Sequence, residues 1–339
     1  MQNIEALLVC NSNMFIPVTL SEVLGHPDKK YIIISDTENI RQFIEFLSIP
    51  NVIYRHYGFN PLKDGRFGYI RAKKELLNFV LQFNIKCVIF YHAEFGAMAN
   101  WLIEKLSKKL PIKYCKLYDS IPVPRAPFSL NTLKIKVSEF IYWGQKMDVL
   151  VGSYPFPSLP QSFFRKIKAE TISLPVNMVL VNNILKKKFD SSGLRGKYVL
   201  LTGTVVLDGV YSEDVYTLFV NKLIESLGQD NIVSKCHPRY KNLYGKEKDL
   251  VQVPSFIPGN VLLDCFDYYI GVESTLLVEA AQRGKKAISI IDWLRPAEDV
   301  RQRFHAFFEN RLQGRGNILF PKTIEELKAI LKLDKDVNR

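Results

Sequence analysis

Short apolar runs alternate with amphipathic stretches from one end of the chain to the other. Residues 6–10, 31–35, 52–54, 87–91 and 114–118 are brief, apolar and rich in β-branched or aromatic residues, which predicts buried strands. Between them, residues 41–47, 70–83 and 96–106 carry apolar side chains at helical spacing. The pattern then falters. Residues 154–160 hold three prolines, and 174–197 contains Pro175, Lys186-Lys187-Lys188 and Ser191-Ser192-Gly193. A second alternation follows, with strands expected at 198–202, 232–235, 268–271 and 287–291, and helices at 214–227, 275–283 and 325–333.

Strand–helix alternation predicts parallel sheets covered on both faces, hence an α/β protein. The break in rhythm divides it into an N-terminal Rossmann-like domain over 1–175, a linker over 176–197 and a C-terminal Rossmann-like domain over 198–339. Two such halves facing each other across a cleft make the GT-B architecture of nucleotide-sugar transferases. A length of 339 residues fits two cores better than one.

Composition narrows the class. Apolar residues at 47% and charged residues at 24% describe an ordinary globular chain rather than a disordered one. The 46 Lys and Arg exceed the 34 Asp and Glu, for a net charge of +12, which favours anionic partners. The basic residues are dispersed, and no RNA-recognition, helix-turn-helix or finger signature occurs, so nucleic acid is not expected. The charge suits peripheral association with the acidic inner face of the cytoplasmic membrane. Five cysteines without a CxxC pair, with Cys10, Cys87, Cys236 and Cys265 in or beside apolar runs, read as free thiols in a reducing compartment. The N-terminus lacks a signal-peptide pattern, and no run of about 18 apolar residues occurs, so a cytoplasmic protein is expected.

Three motifs in the second half each lie at the end of an expected strand, where open parallel sheets bind ligands. The first joins Thr202-Gly203 to Leu207-Asp208-Gly209 and Tyr211-Ser212-Glu213, with Ser212 capping a helix. Gly203 lets the backbone turn tightly or a ligand approach, and Asp208-Gly209 is also an ordinary turn signal. The second is Lys235-Cys236-His237-Pro238-Arg239. Pro238 stiffens the strand exit, and Lys235, His237 and Arg239 gather donors suited to a phosphate. The third is Gly271-Val272-Glu273-Ser274-Thr275, where Ser274 or Thr275 caps a helix whose free N–H groups favour an anion. No P-loop or GxGxxG occurs, which disfavours ATP and dinucleotides.

In this order the motifs resemble the bacterial sialyltransferase family that includes the lipooligosaccharide sialyltransferases. That family carries an acidic-acidic-Gly motif, a His-Pro motif and a Ser/Thr pair opening a helix. Here they correspond to Leu207-Asp208-Gly209, with Leu207 in place of an acid, to His237-Pro238, and to Ser274-Thr275. The likeness covers roughly residues 195–295. It implies an inverting transfer of sialic acid or a related nonulosonic acid from a CMP-activated donor to a hydroxyl of lipooligosaccharide or capsule, with neither metal nor cofactor. Asp208 would act as general base and His237 would stabilise the CMP leaving group, with Ser274 and Thr275 on the same phosphate. Lys235 and Arg239 would add positive potential, Glu273 would hold ribose hydroxyls, and the backbone of Ser255, Phe256 and Ile257 would receive the cytosine. Some members form dimers, which adds a homodimer to the expected partners.

No Asp-x-Asp follows a strand, and Glu273 and Glu279 are six apart rather than the eight common in retaining transferases. In the first half, Asn11 and Asp119 end strands and are candidate acceptor contacts, with His92 and Glu94 as further residues of that kind. Rival readings are a transferase using CMP-Kdo or a UDP-sugar, a catalytically inactive scaffold, and a non-catalytic polyanion-binding protein.

Overall fold

A computed structural model describes residues 1–58, 61–91, 97–115, 167–194, 197–206, 209–237 and 242–337, with backbone alone at 61–66, 97 and 332–337. The chain divides into two compact units, Met1–Ile184 and Leu185–Arg339.

In the first unit the elements run β1 (Gln2–Val9), α1 (Ile16–Gly25), β2 (Tyr31–Ser35), α2 (Glu38–Leu47), β3 (Val52–His56), α3 (Pro61–Val80), β4 (Phe83–Phe90), α4 (Ala97–Leu106), β5 (Ile112–Cys115), β6 (Glu170–Ile172) and α5 (Met178–Lys186). The strands form one parallel sheet in the order β3-β2-β1-β4-β5-β6. Every residue of β2 is buried, as a strand covered on both faces requires. Ile4, Leu7 and Val88 pack with Leu102 and Ile103 of α4 beneath one face.

The second unit repeats the plan. It runs β7 (Tyr198–Thr202), α6 (Glu213–Leu227), β8 (Ile232–Cys236), β9 (Val251–Gln252), β10 (Tyr268–Gly271), α7 (Thr275–Gln282), β11 (Lys286–Ser289), α8 (Ile291–Leu294), α9 (Glu298–Leu312), β12 (Ile318–Leu319) and α10 (Ile324–Val337). Its parallel sheet is ordered β12-β11-β10-β7-β8-β9. In both sheets the first strand lies in the middle and the order reverses between the first and fourth strands. That is the doubly wound Rossmann topology, with a crevice at the reversal.

Several boundaries differ from the sequence reading. Phe83 opens β4 instead of closing a helix, because α3 ends at Val80 and Phe83 packs edge-on against Phe79, ring centres 5.3 Å apart. The expected linker contains α5, which sinks Val181 and Leu185 into apolar surroundings and starts where Asn177 N–H donates to Ser21 Oγ at 2.8 Å. The division at Ile184 and Leu185 falls inside this helix. Helix α9 was not expected, since it buries little beyond Phe304 and Phe308.

Candidate functional site

The reversal in the second sheet lies between β7 and β10, with β8 on the other side of β7. Gly271 pairs with Leu201, and Thr202 with Cys236. The chain therefore leaves all three strands side by side, at Gly203, His237 and Val272. Neighbouring strands lie about 4.8 Å apart, so β8 and β10 are separated by about 10 Å with the Gly203 turn between them. Gly271 suits this closeness: a Cβ there would crowd Leu201, standing 3.1 Å from its Cβ and 3.2 Å from its O.

The β7 and β10 exits are joined by a carboxylate. Glu273 Oε1 accepts from the Thr204 hydroxyl at 2.8 Å and from its N–H at 3.3 Å. Glu273, expected at ribose, thus has one oxygen engaged within the protein. Ser274 is the N-cap of α7, its Oγ accepting from Leu276 N–H at 3.2 Å, and Thr275 is the first helical residue. Both are partly exposed, at the positive end of the helix.

On the β8 side Lys235 is buried, 6% exposed, and donates to the carbonyls of Cys236 at 3.1 Å and Ser255 at 3.3 Å. Desolvation lowers its ammonium pKa to about 8. Among the described residues no carboxylate pairs with it. The lysine pins the segment carrying Ser255 and Phe256, both partly exposed, to the end of β8. Ile257 N–H turns back to Pro254 O at 3.0 Å and the residue is wholly buried, backbone included. Ile257 therefore offers no surface to the cytosine expected there, and only Ser255 and Phe256 of that trio are partly exposed. Gly259 presses on Leu276 of α7, where a Cβ would approach within 2.5 Å. The segment is thereby anchored at both edges of the switch point.

Thr202, expected to touch the donor, is placed otherwise. It is buried, and its hydroxyl donates to Glu247 Oε1. The same oxygen accepts from Ser234 Oγ at 2.7 Å, and Oε2 accepts from Tyr244 N–H at 3.2 Å. Burial pushes the Glu247 carboxyl up, opposed by these hydrogen bonds from Thr202, Ser234 and Tyr244. Sequence reasoning missed Glu247, which sits in the charged string Lys246-Glu247-Lys248-Asp249.

It also missed Asp292 and His305. Asp292 follows β11 and is buried, and its Oδ1 lies 2.7 Å from His305 Nε2 on α9. Arg301 Nη1 approaches Oδ2 at 3.9 Å, and the imidazole stacks on Phe320 with centres 4.1 Å apart. An aspartate within the apolar run Ile290-Ile291-Asp292-Trp293-Leu294 was the available signal.

In the first unit Asn11 is buried and internally engaged. Its Oδ1 accepts from Asp36 N–H at 3.2 Å and the Tyr57 hydroxyl at 2.7 Å, and its carbonyl accepts from Thr37 Oγ1 at 2.7 Å. These bonds tie together the exits of β1, β2 and β3. Asp208, Pro238, Arg239, Asp119, His92 and Glu94 lie outside the described residues. Gly209, just after Asp208, adopts φ +69, a left-handed conformation suited to glycine, and its N–H closes a turn on Val206 O at 3.1 Å.

All five cysteines are free thiols. Among the described residues no helix is long and apolar enough to cross a membrane, and no three His, Cys, Asp or Glu side chains are grouped to hold a metal ion.

No protein-family model matches the chain, and no curated protein matches its sequence. Among solved structures it is similar to UDP-GlcNAc 2-epimerase from Methanocaldococcus jannaschii in complex with UDP-GlcNAc and UDP. That pair shares 15% identity, covers 98% of this chain and 92% of the other, and has a TM-score of 0.48. The UDP-GlcNAc 2-epimerase from Neisseria meningitidis bound to UDP-GlcNAc gives 11% identity over 98% and 92%, with a TM-score of 0.49. MurG from Acinetobacter baumannii gives 12% over 97% and 90%, with a TM-score of 0.41. Likeness of this degree says nothing of substrate.

Proposed function

We propose that the chain is an inverting nucleotide-sugar glycosyltransferase. Its donor in this reading is a CMP-activated nonulosonic acid such as sialic acid, and its acceptor a hydroxyl of a bacterial surface glycan, lipooligosaccharide or capsule. One observation carries the proposal: residues from all three motifs leave adjacent strands at the switch point of the second sheet. A phosphate above the Gly203 turn has His237 on its β8 flank and Ser274, Thr275 and the positive end of α7 on its β10 flank. Lys235 supplies a buried cation that the protein leaves without an anionic partner among the described residues.

In the reaction Asp208 accepts the proton of the acceptor hydroxyl as that oxygen bonds to the anomeric carbon of the donor. The bond from that carbon to the phosphate oxygen breaks, and CMP departs with the electron pair. His237, Ser274 and Thr275 hydrogen-bond the growing charge on the phosphate, the interaction often worth most in transfers of this kind. A positioned base contributes about 10²–10⁴-fold. No step draws on a metal ion.

Titration of the full chain with CMP, UMP and UDP tests the donor, and product formation from CMP-sialic acid and a galactoside tests the reaction. CMP is expected to bind in preference to UDP. The Asp208→Ala variant is expected to lose transfer while retaining CMP affinity. Wild-type turnover by that variant removes Asp208 as base. Preference for UDP replaces the donor by a UDP-sugar, and a screen that includes CMP-Kdo separates the CMP-linked acids. Nucleotide binding without product from any donor leaves a non-catalytic scaffold.

A further inference from the structure

We propose that the outer face of α3 and α4 in the first unit is a docking surface for an anionic lipid bilayer. Phe67 and Ile70 stand 88% and 53% exposed on α3. Together with Arg71 and Lys74 they fall at spacings of three, four and seven residues, which places the four on one helix face. The opposite face turns Tyr69, Leu76 and Val80 into the core, so the exposed stripe is not left over from inward packing.

Helix α4 extends the surface with cations. Lys73 Nζ lies 4.1 Å from the ring centre of Tyr69 and 5.0 Å from that of Trp101, bridging the two helices. Desolvation lowers the Lys73 pKa, and the nearby Lys105 ammonium lowers it further. Lys105, Lys108 and Lys109 are exposed beyond it. Arg71, Lys73, Lys74, Lys105, Lys108 and Lys109 stand against two acids, Glu75 and Glu104. Arg71 pairs with Glu75 at 2.8 Å. Lys74, Lys105, Lys108 and Lys109 have no ion-pair partner among the described residues.

Two unfavourable features thus coincide, large apolar groups in water and six cations set against two acids. An anionic lipid surface relieves both. Phe67 and Ile70 enter the boundary between headgroups and acyl chains, and the lysines meet the headgroup charge. A polyanion without an apolar layer would satisfy the lysines alone. The inference stands independently of the donor and of the reaction.

Co-sedimentation of the full chain with phosphatidylcholine vesicles, with and without phosphatidylglycerol, at low and high salt, tests it. Binding is expected only with phosphatidylglycerol and is expected to weaken as salt is raised. The double variant Phe67→Ser with Ile70→Ser should lose about tenfold or more in partitioning, since it removes the two apolar side chains that enter the acyl boundary. Lys74→Glu with Lys105→Glu should lose a similar amount. These positions are exposed, and matching circular dichroism and melting points confirm the fold of each variant. The proposal is overturned by a wild-type chain that ignores phosphatidylglycerol vesicles at low salt, or by variants that bind them as the wild type does. It is equally overturned if the Phe67 and Ile70 changes alter only the oligomeric state in sedimentation velocity, which assigns the face to a second copy.

Discussion

Thr204 and Glu273 meet across the switch point, hydroxyl to carboxylate at 2.8 Å and N–H to the same oxygen at 3.3 Å. They belong to the exits of β7 and β10, so this clasp fixes the two loops that would flank a phosphate. Replacing Thr204 by Val keeps the branched shape and removes one donor. The expected result is a stability loss of about 1 kcal/mol in urea unfolding, the usual worth of such a bond. CMP affinity in calorimetry should fall with it, because the loops must then be ordered by the ligand. Unchanged affinity would dissociate the clasp from the site.

Ser274 and Thr275 separate capping from binding. Ser274 Oγ accepts from Leu276 N–H, so Ser274→Ala should destabilise the chain by about 1 kcal/mol, whatever the site binds. Thr275 has no capping bond. Thr275→Ala is therefore expected to leave the melting point within about 1 °C while lowering CMP affinity several-fold, as loss of a charge-assisted hydrogen bond does. Equal CMP affinity in Thr275→Ala would reduce the pair to a helix cap.

The strands that build this site were legible because β7 is buried along its whole length and reads Tyr-Val-Leu-Leu-Thr, β10 reads Tyr-Tyr-Ile-Gly, and β8, also fully buried, opens on Ile232-Val233. Edge strands β6, β9 and β12 span only two or three residues and carry no period to read. Lys235 stood out as a cation inside such a strand. Its bond to Ser255 O did not, because that contact joins residues 20 apart through the path of a loop. Glu247 is harder still. One turn rotates it alone into the core, while Lys246 and Lys248 beside it remain outside, and no local pattern distinguishes the three.

Glu279 gives stability a pH dependence. It lies one turn beyond Thr275 on α7, and burial pushes its carboxyl up to about 7, against the opposing pull of Arg283. A carboxyl with a raised folded pKa favours the fold below its unfolded value of about 4.5, and the benefit is lost as pH rises through about 7. Glu279→Gln, neutral at every pH, should therefore match the wild type near pH 5. Near pH 8 it should be more stable by about 1–2 kcal/mol, once the shift is discounted for the partial exposure of the residue. Urea midpoints at the two pH values test this, and an equal gain at both would remove the titration.

Lys235 presents the opposite sign. Burial depresses its ammonium pKa to about 8, so the charged form is penalised in the folded chain. The penalty is full below about 8 and is relieved as pH rises toward 10.5, the ordinary lysine value. Below pH 8 it amounts to about 3 kcal/mol, at 1.36 kcal/mol for each pKa unit. The carbonyls of Cys236 and Ser255 offset part of the desolvation but bring no countercharge. Lys235→Met removes the ammonium while keeping a similar shape, and is expected to raise the urea midpoint at pH 7. If the ammonium is there for a phosphate, the same variant should lose CMP affinity at least tenfold, a gain in stability set against a loss in binding. A phosphate beside Lys235 would also draw its pKa upward, so CMP binding near pH 8.5 should take up a fraction of a proton. Calorimetry in two buffers of different ionisation enthalpy measures that fraction. A Lys235→Met chain that is stabilised yet binds CMP as before, with no proton uptake lost, would confine this lysine to holding Ser255 in place.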